Sequence, residues 1–286
     1  MRRSPLAWPF LLGSLLLVGA PVVIGGWLAL SDYYSFAGPR FTGLDNLHRA
    51  AGDHLFWRSL ATSAVIAVIA VPLRLALAMG AALVLARRRG PLDSVGRVAA
   101  YLPSVIPDAA WALLWLWLLN PLYGPVPQLI RGLGLPAPGF LTEPWGARTA
   151  LVLAVSFQIG EAFVVGLAAR RAVPAGWYAA LALEGASSWF TLTRLTLPVM
   201  APLILVLAAR DVIVLLQNSF VPAMLLTEGG PTNATLTAPL LIWRRAFEYG
   251  ELGYASTLSL ILLVLTGVAV AMPLWLAARL ARRQRG

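Results

Sequence analysis

The sequence predicts an all-α, polytopic membrane protein with six transmembrane helices, and three observations predict it. Of its 286 residues, 59% are hydrophobic and 12% charged, whereas soluble domains carry about a quarter charged. The apolar residues gather into six runs near the roughly 20 residues that cross a bilayer, at 6–30, 60–86, 98–119, 147–168, 199–226 and 255–280. Runs of this length span as helices, because a backbone in hydrocarbon must satisfy its polar groups internally. The third observation is the charge distribution. All 22 basic residues are arginines. With the N-terminus inside, Arg2, Arg3, Arg87, Arg88, Arg89, Arg97, Arg170, Arg171, Arg194, Arg279, Arg282, Arg283 and Arg285 fall on the cytoplasmic side. Arg40, Arg49, Arg58, Arg131, Arg148, Arg244 and Arg245 fall outside, and Arg74 and Arg210 within spans. The inner excess follows the positive-inside rule, so the net charge of +10 orients the chain and does not imply a nucleic-acid partner.

The first run has the charged start of a signal peptide, but it exceeds the roughly 7–15 residues of such a segment and shows no small-residue cleavage site before Pro21. It reads as a retained anchor. The outer loop 31–57 is polar and aromatic, with Asp32, Tyr33, Tyr34, Phe36, Asp45 and His48. Gly90-Pro91 closes the short arginine loop as a turn. Pro103 and Pro107 open the third span, which is therefore kinked or broken. A Pro/Gly-rich outer loop fills 120–145, and a long cytoplasmic segment, 170–198, follows the fourth span. Thr227-Glu228-Gly229-Gly230-Pro231 is a tight outer turn after the fifth span, and Arg244, Arg245, Phe247, Glu248 and Tyr249 precede the last one.

The sequence offers no catalytic constellation. Cysteine is absent, so no disulfide framework or thiolate metal site is available, and two histidines make no His-rich site. Without lysine a phosphate-binding P-loop is impossible, so the chain does not hydrolyse ATP through one of its own. Motifs for metalloproteases, Ser hydrolases and dinucleotide binding are missing as well. The reading is no enzyme, no metal and no bound cofactor.

Five charges remain within the apolar spans: Arg74, Asp108, Glu161, Arg210 and Asp211. Each costs about 2.5–3.5 kcal/mol on insertion scales, so they face the bundle interior or a cavity. Gln158 and Glu161, spaced i, i+3, predict one polar face on the fourth span, and Arg210, Asp211, Gln217 and Asn218 a polar stripe on the fifth. Together they predict a hydrophilic path near mid-membrane, with the rings of Trp111, Trp115 and Trp117 on the third span beside it. The same charges also read as structural pairs, such as Glu161 with Arg74 or Arg210. An ion-coupled carrier using Asp108, Glu161 and Asp211 as a relay is the alternative function, although the inverted repeats of such carriers are not visible.

The segment 174–202 carries a resemblance. Tyr178-Ala179-Ala180-Leu181, Glu184-Gly185-Ala186-Ser187, then Leu195-Thr196-Leu197-Pro198 with Pro202 are similar to the cytoplasmic-loop motif of the membrane subunits of bacterial ABC importers. Tyr101-Leu102-Pro103-Ser104, Asn120-Pro121, Tyr123-Gly124-Pro125, the Thr227-x-Gly229-Gly230-Pro231 stretch with Thr235, Ala246-Phe247 and Gly253-Tyr254-Ala255 resemble the carbohydrate branch of that family. The likeness is to the first permease of maltose, trehalose or glycerol-phosphate type pairs. Ala179 stands where relatives carry Glu, Glu184 where they carry Asp, Pro127 in place of Asn, and Val221 in place of the Asp of a Phe-Asp pair.

The resemblance implies a type I ABC importer permease fold and a bacterial or archaeal inner-membrane location with both termini cytoplasmic. It implies an N-terminal helix and loop at 1–56, a five-helix core at 57–286, and a coupling loop at 170–198. The partners it implies are a second permease, two ATPase subunits that hold ATP and Mg, an extracytoplasmic solute-binding protein, and a sugar. Trp177, Tyr178, Ala179, Ala180, Glu184, Gly185, Ala186 and Pro198 would contact the ATPase, with Trp189 and Phe190 as further anchors. Gln158, Glu161, Arg210, Asp211, Gln217, Asn218 and Trp115 would line the substrate path.

Overall fold

A computed structural model describes residues 7–34, 38–87 and 90–283. Arg2, Arg3, Phe36, Arg88, Arg89 and Arg285 of the sequence reading lie outside the described residues. In chain order, α1 (Trp8–Ala29) is an apolar rod. A small hairpin, β1 (Ser31–Asp32) antiparallel to β2 (Arg40–Phe41), and α2 (Asp45–Gly52) lead into α3 (His54–Ala86). Next come α4 (Asp93–Ser104) and α5 (Asp108–Leu118), meeting at 100°. After α6 (Pro125–Gly132), α7 (Pro144–Ser156) and α8 (Gly160–Ala172) meet at 49°. The remainder is α9 (Ala175–Leu183), α10 (Ser188–Asn218), α11 (Phe220–Thr227), α12 (Ala238–Trp243) and α13 (Leu252–Arg283).

Among the described residues four helices are long and apolar enough to cross a membrane alone, and the two bent pairs bring the total to six. The third span breaks between its two prolines, as the sequence predicts. Several boundaries differ from the sequence reading, most of all the start of the fifth span, which is helical from Ser188, within the expected loop 170–198, and not from 199. The second span begins at His54, because Asp53 caps it: Oδ1 accepts from the N–H groups of Leu55 (2.9 Å) and Phe56 (3.1 Å). Trp57 and Arg58, assigned to the outer loop, are thus helical. The fifth span ends at Asn218, and the residues beyond Ser219 form the separate α11. The fourth span, expected to be continuous, unwinds at Phe157–Ile159.

Small residues set the packing. α3 lies against α7, α8 and α10, and α10 against α13. Ala70, Ala78, Ala82, Ala150, Ala154 and Ala162 are buried at these crossings. In a membrane, where lipid is as apolar as leucine, such residues let backbones approach and gain dispersion contacts.

The N-terminal helix and its loop are bound to the last span. The Thr257 hydroxyl donates to the Ala29 carbonyl (2.9 Å), and the Asn46 amide donates to the carbonyls of Ala29 (3.2 Å) and Ser31 (2.9 Å). Beside them Arg49 pairs with Glu251 at 2.6 Å, Arg245 with Glu251 at 3.1 Å and with Asp53 at 3.6 Å. The Tyr254 hydroxyl donates to Asp53 Oδ2 at 2.7 Å, and the Arg49 guanidinium lies 3.9 Å above the Tyr254 ring.

Burial opposes the charge on Asp53. The Tyr254 hydroxyl, the Phe56 N–H, Arg245 and the Leu55 N–H outweigh it and hold the carboxyl below its ordinary value of 3.8. A depressed folded-state pKa contributes stability that is complete above the ordinary value and is lost as pH falls through the lowered one. The melting temperature in detergent should therefore drop between about pH 5 and about pH 3. Asp53→Asn should melt lower than the native chain at neutral pH and show a shallower acid slope; an unchanged slope would refute this role for Asp53.

Candidate functional site

The two breaks and the end of α10 meet around one cavity of about 300 Å³. From the third span come Ser104 and Asp108, from the fourth Val155, Gln158 and Glu161, and from α10 Arg210, Val214 and Asn218, with Arg74 of α3 behind. The local chemistry explains the unwinding. The Ser104 hydroxyl accepts from the Gly160 N–H at 2.7 Å, satisfying a free donor at the start of α8. A Cβ at position 160 would lie 2.7 Å from that oxygen, so only glycine permits the approach. From sequence Ser104 enters only within the Tyr101-Leu102-Pro103-Ser104 stretch and not as a site residue; its place right after Pro103, at a predicted break, was the available signal.

The charges form a chain across three helices. Arg74 Nε of α3 is 3.7 Å from Asp211 Oδ2, Asp211 Oδ1 accepts from Arg210 Nη1 at 2.8 Å, and Arg210 also pairs with Glu161 at the head of α8. Asp211 and Arg74 are buried, while Arg210 and Glu161 are partly open to the cavity. Asp108 accepts from the Gln158 amide at 3.1 Å across the two breaks.

The site thus gathers Gln158, Glu161, Arg210 and Asn218, and corrects four expectations. Gln158 and Glu161 do not share one helix face, because Gln158 lies in the unwound turn and Glu161 in the first turn of α8; both line the cavity. The fifth span carries no single polar stripe. Arg210, Val214 and Asn218 follow one face at i, i+4, i+8, and Asp211 points into the core. Adjacent residues stand about 100° apart on a helix, and Gln217 faces a separate, largely apolar groove of about 680 Å³ with Phe220, Trp243 and Phe247. Trp115 packs edge-on against Trp111 (6.0 Å) and against Phe157 (5.6 Å) outside the cavity lining. Trp111 is a core residue whose indole N–H donates to the Ala154 carbonyl at 2.8 Å.

A second constellation lies in the segment 174–198. Helix α9 has no buried residue; Leu183 is 90% and Trp177 51% exposed, and Trp189 in the next turn 73%. The helix ends in a Schellman motif: the Ala186 N–H reaches the Leu181 carbonyl (2.9 Å), and the Gly185 N–H that of Ala182 (3.1 Å). Gly185 takes the left-handed φ of +72° that this motif requires. Ser187 then caps the next turn, its hydroxyl accepting from the Phe190 N–H at 3.1 Å.

Ala179, Glu184 and Pro198 are exposed, with Pro198 inside α10 just past a π-turn at Leu192–Thr196. Ala180 lines a hollow with Trp177, Phe190 and Arg194, and Ala186 is half-buried. Tyr178 is partly exposed and also turns toward the bundle. Its hydroxyl shares a hydrogen bond with Thr196 (3.1 Å), and Arg170 stacks 3.9 Å over its ring, so it braces α9 against α8 and α10. On the far side of the molecule, the Thr227 and Thr235 hydroxyls are bonded at 2.6 Å, closing the expected turn upon itself.

Residues 75–286 match the family described as binding-protein-dependent transport system inner membrane component. The probable ABC transporter permease protein YesP of Bacillus subtilis is 29% identical over 265 residues, covering 91% of this chain and 85% of that one. The diacetylchitobiose uptake system permease protein NgcF of Streptomyces coelicolor is 30% identical over 266 residues, covering 86% and 72%. A subunit in the crystal structure of a bacterial ABC transporter that imports the acidic polysaccharide alginate shares the fold, with a TM-score of 0.81 at 22% identity over 96% of this chain and 94% of that one.

The buried part of the charge chain has a measurable consequence. Asp211→Ala leaves Arg74 without its counter-ion in the core and should destabilise the protein by about 3–5 kcal/mol. Arg74→Met combined with Asp211→Leu removes both charges and should recover most of that loss. Thermal unfolding in detergent distinguishes the two, and a double variant as unstable as Asp211→Ala would refute the pairing.

Proposed function

The chain belongs to the family of binding-protein-dependent transport system inner membrane components, and from that membership we infer that it is the permease subunit of an ATP-driven importer whose cargo is a sugar. It works beside a second permease. Two ATPase subunits hold ATP and Mg, and an extracytoplasmic binding protein delivers the cargo. The sugar assignment takes its support from the diacetylchitobiose permease among the relatives and from a polar cavity able to bind hydroxyls. The core comprises 57–286 with its coupling loop at 170–198, preceded by the helix and loop at 1–56.

The observation that carries the coupling role is α9, a capped helix with every residue at least partly exposed, held to the bundle through Tyr178. Trp177, Ala179, Ala180, Leu183 and Glu184 form the surface that docks on an ATPase subunit, and Trp189 extends it. Small side chains allow close seating, and the large apolar ones supply most of the interface energy. ATP-driven closure of the ATPases moves α9 as a rigid body and opens the cavity alternately to either side. The cargo path runs by Gln158, Glu161, Arg210 and Asn218, with Asp211 orienting Arg210. The relay of an ion-driven carrier finds no support in this arrangement, since Glu161 and Asp211 are both bound to arginines.

In proteoliposomes the full assembly should import sugar only with ATP and binding protein, and this chain alone should import none on an ion gradient. Uptake by the isolated chain would sink the reading. Gly185→Trp cannot hold the left-handed turn, so α9 loses its end. Sugar uptake per ATP hydrolysed should fall about tenfold; unchanged coupling would remove α9 from the mechanism.

A further inference from the structure

The charges around the cavity do not balance, and we infer that it takes a neutral or amine-bearing saccharide and rejects anionic ones, with Asp108 setting the preference. The inference rests on the reading of this cavity as the cargo path. Both guanidiniums at the cavity are engaged. Arg210 is held by Glu161 on one side and by Asp211 at 2.8 Å on the other. Arg74 is 5% exposed and lies 3.7 Å from Asp211. The lining carries the cations Arg74 and Arg210 and the carboxylates Asp108 and Glu161; with Asp211, buried behind it and paired to both arginines, two cations stand against three carboxylates, and Asp108, which acts on Arg74 only at longer range, is the one with no ion pair within 4 Å among the described residues. It is exposed to the cavity, and its side-chain contact is with the neutral Gln158 amide at 3.1 Å.

Recognition of a uronate, sulfonate or phosphate calls for a guanidinium fork or an ammonium group. Arg210 cannot present one without breaking a pair, Arg74 is sealed from the cavity at 5% exposure, and the anion would also lie beside Asp108 as a like charge. For hydroxyl and ammonium donors the sign reverses. Ionised Asp108 offers only acceptor sites, and Gln158 and Asn218 add both donors and acceptors. The volume of about 300 Å³ is at the lower end for small-ligand sites, which suits a short saccharide. The fold is shared with an importer of an acidic polysaccharide, so the backbone leaves the charge preference open and the side chains decide it.

The test uses the assembled permease–ATPase complex in detergent without binding protein, so that selection belongs to the membrane cavity. Equilibrium dialysis would measure three radiolabelled disaccharides: maltose (neutral), the chitosan dimer (cationic) and the mannuronate dimer (anionic). Maltose and the chitosan dimer should bind at least about tenfold more tightly than the mannuronate dimer. Asp108→Asn should reduce that gap to about threefold or less, and Asp108→Glu, which keeps the charge, should restore it. Equal binding of all three disaccharides, or a gap unaltered in Asp108→Asn, overturns the inference and leaves the saccharide reading standing. Binding of none of them, in a complex that still hydrolyses ATP, overturns the saccharide reading and the inference together.

Discussion

The polar half of this protein depends on the ion chain Arg74–Asp211–Arg210–Glu161. Each of these groups is costly within an apolar span, and none would be tolerated alone. Linked, they convert that cost into a requirement for position: α3, α8 and α10 must present their charges to one another or leave an ion unpaired. The chain also grades burial. Arg74 and Asp211 are sealed in the core, whereas Arg210 and Glu161 face the cavity. The buried pair thereby holds Arg210 in place for its exposed partner, and the carboxylate of Asp108 is left for something else.

Broken helices make room for this arrangement. A continuous helix buries its own N–H and C=O groups and offers a ligand only side chains. Where the third and fourth spans unwind, free backbone groups appear, and non-helical backbone is tolerated at membrane depth when it lines a cavity or is buried in protein. Here the Ser104 hydroxyl satisfies one such donor, and the Asp108–Gln158 bond joins the two breaks. The polar residues of the path gather where the two breaks meet α10 and the cavity opens.

Much of this was legible in the sequence, for definable reasons. Apolar run length and arginine placement carry the six spans, since bilayer thickness is fixed. Pro103 and Pro107 announce the first break because proline lacks an N–H. The second break has no proline. It arises from a tertiary contact, Ser104 against Gly160, between residues 56 positions apart, which periodicity within one span does not register. For the same reason Gln158 and Glu161 read as one face. The stripe on α10 failed at Gln217 because helical spacing gives angles, while the neighbouring elements decide which angles meet the cavity. In the segment 174–198 the small residues and the glycine were visible. The inward turn of Tyr178 was not, since it depends on Thr196 and Arg170 coming together on folding.

The ion chain and the exposed helix are joined by covalent geometry. α8 runs from Gly160, next to Glu161, to Ala172, and α9 begins at Ala175 after the Val173-Pro174 connection. α10 starts at Ser188, just beyond Gly185, and carries Arg210 near its other end. The two rods that flank α9 therefore meet again at the cavity through Glu161 and Arg210. At about 1.5 Å per residue, the 13 residues of α8 span about 20 Å. Over that length a packed helix moves as a unit rather than deforming, because cores with close packing have few intermediate arrangements. A displacement of α9 must consequently appear at the cavity as a shift of α8 against α10, and the Glu161–Arg210 pair is the contact that such a shift strains. The flexible points on this path are the unwound Phe157–Ile159 turn beside the cavity and the Gly185 turn beside α9. Both lie at the ends of the rods, where rotation is possible without loss of helix.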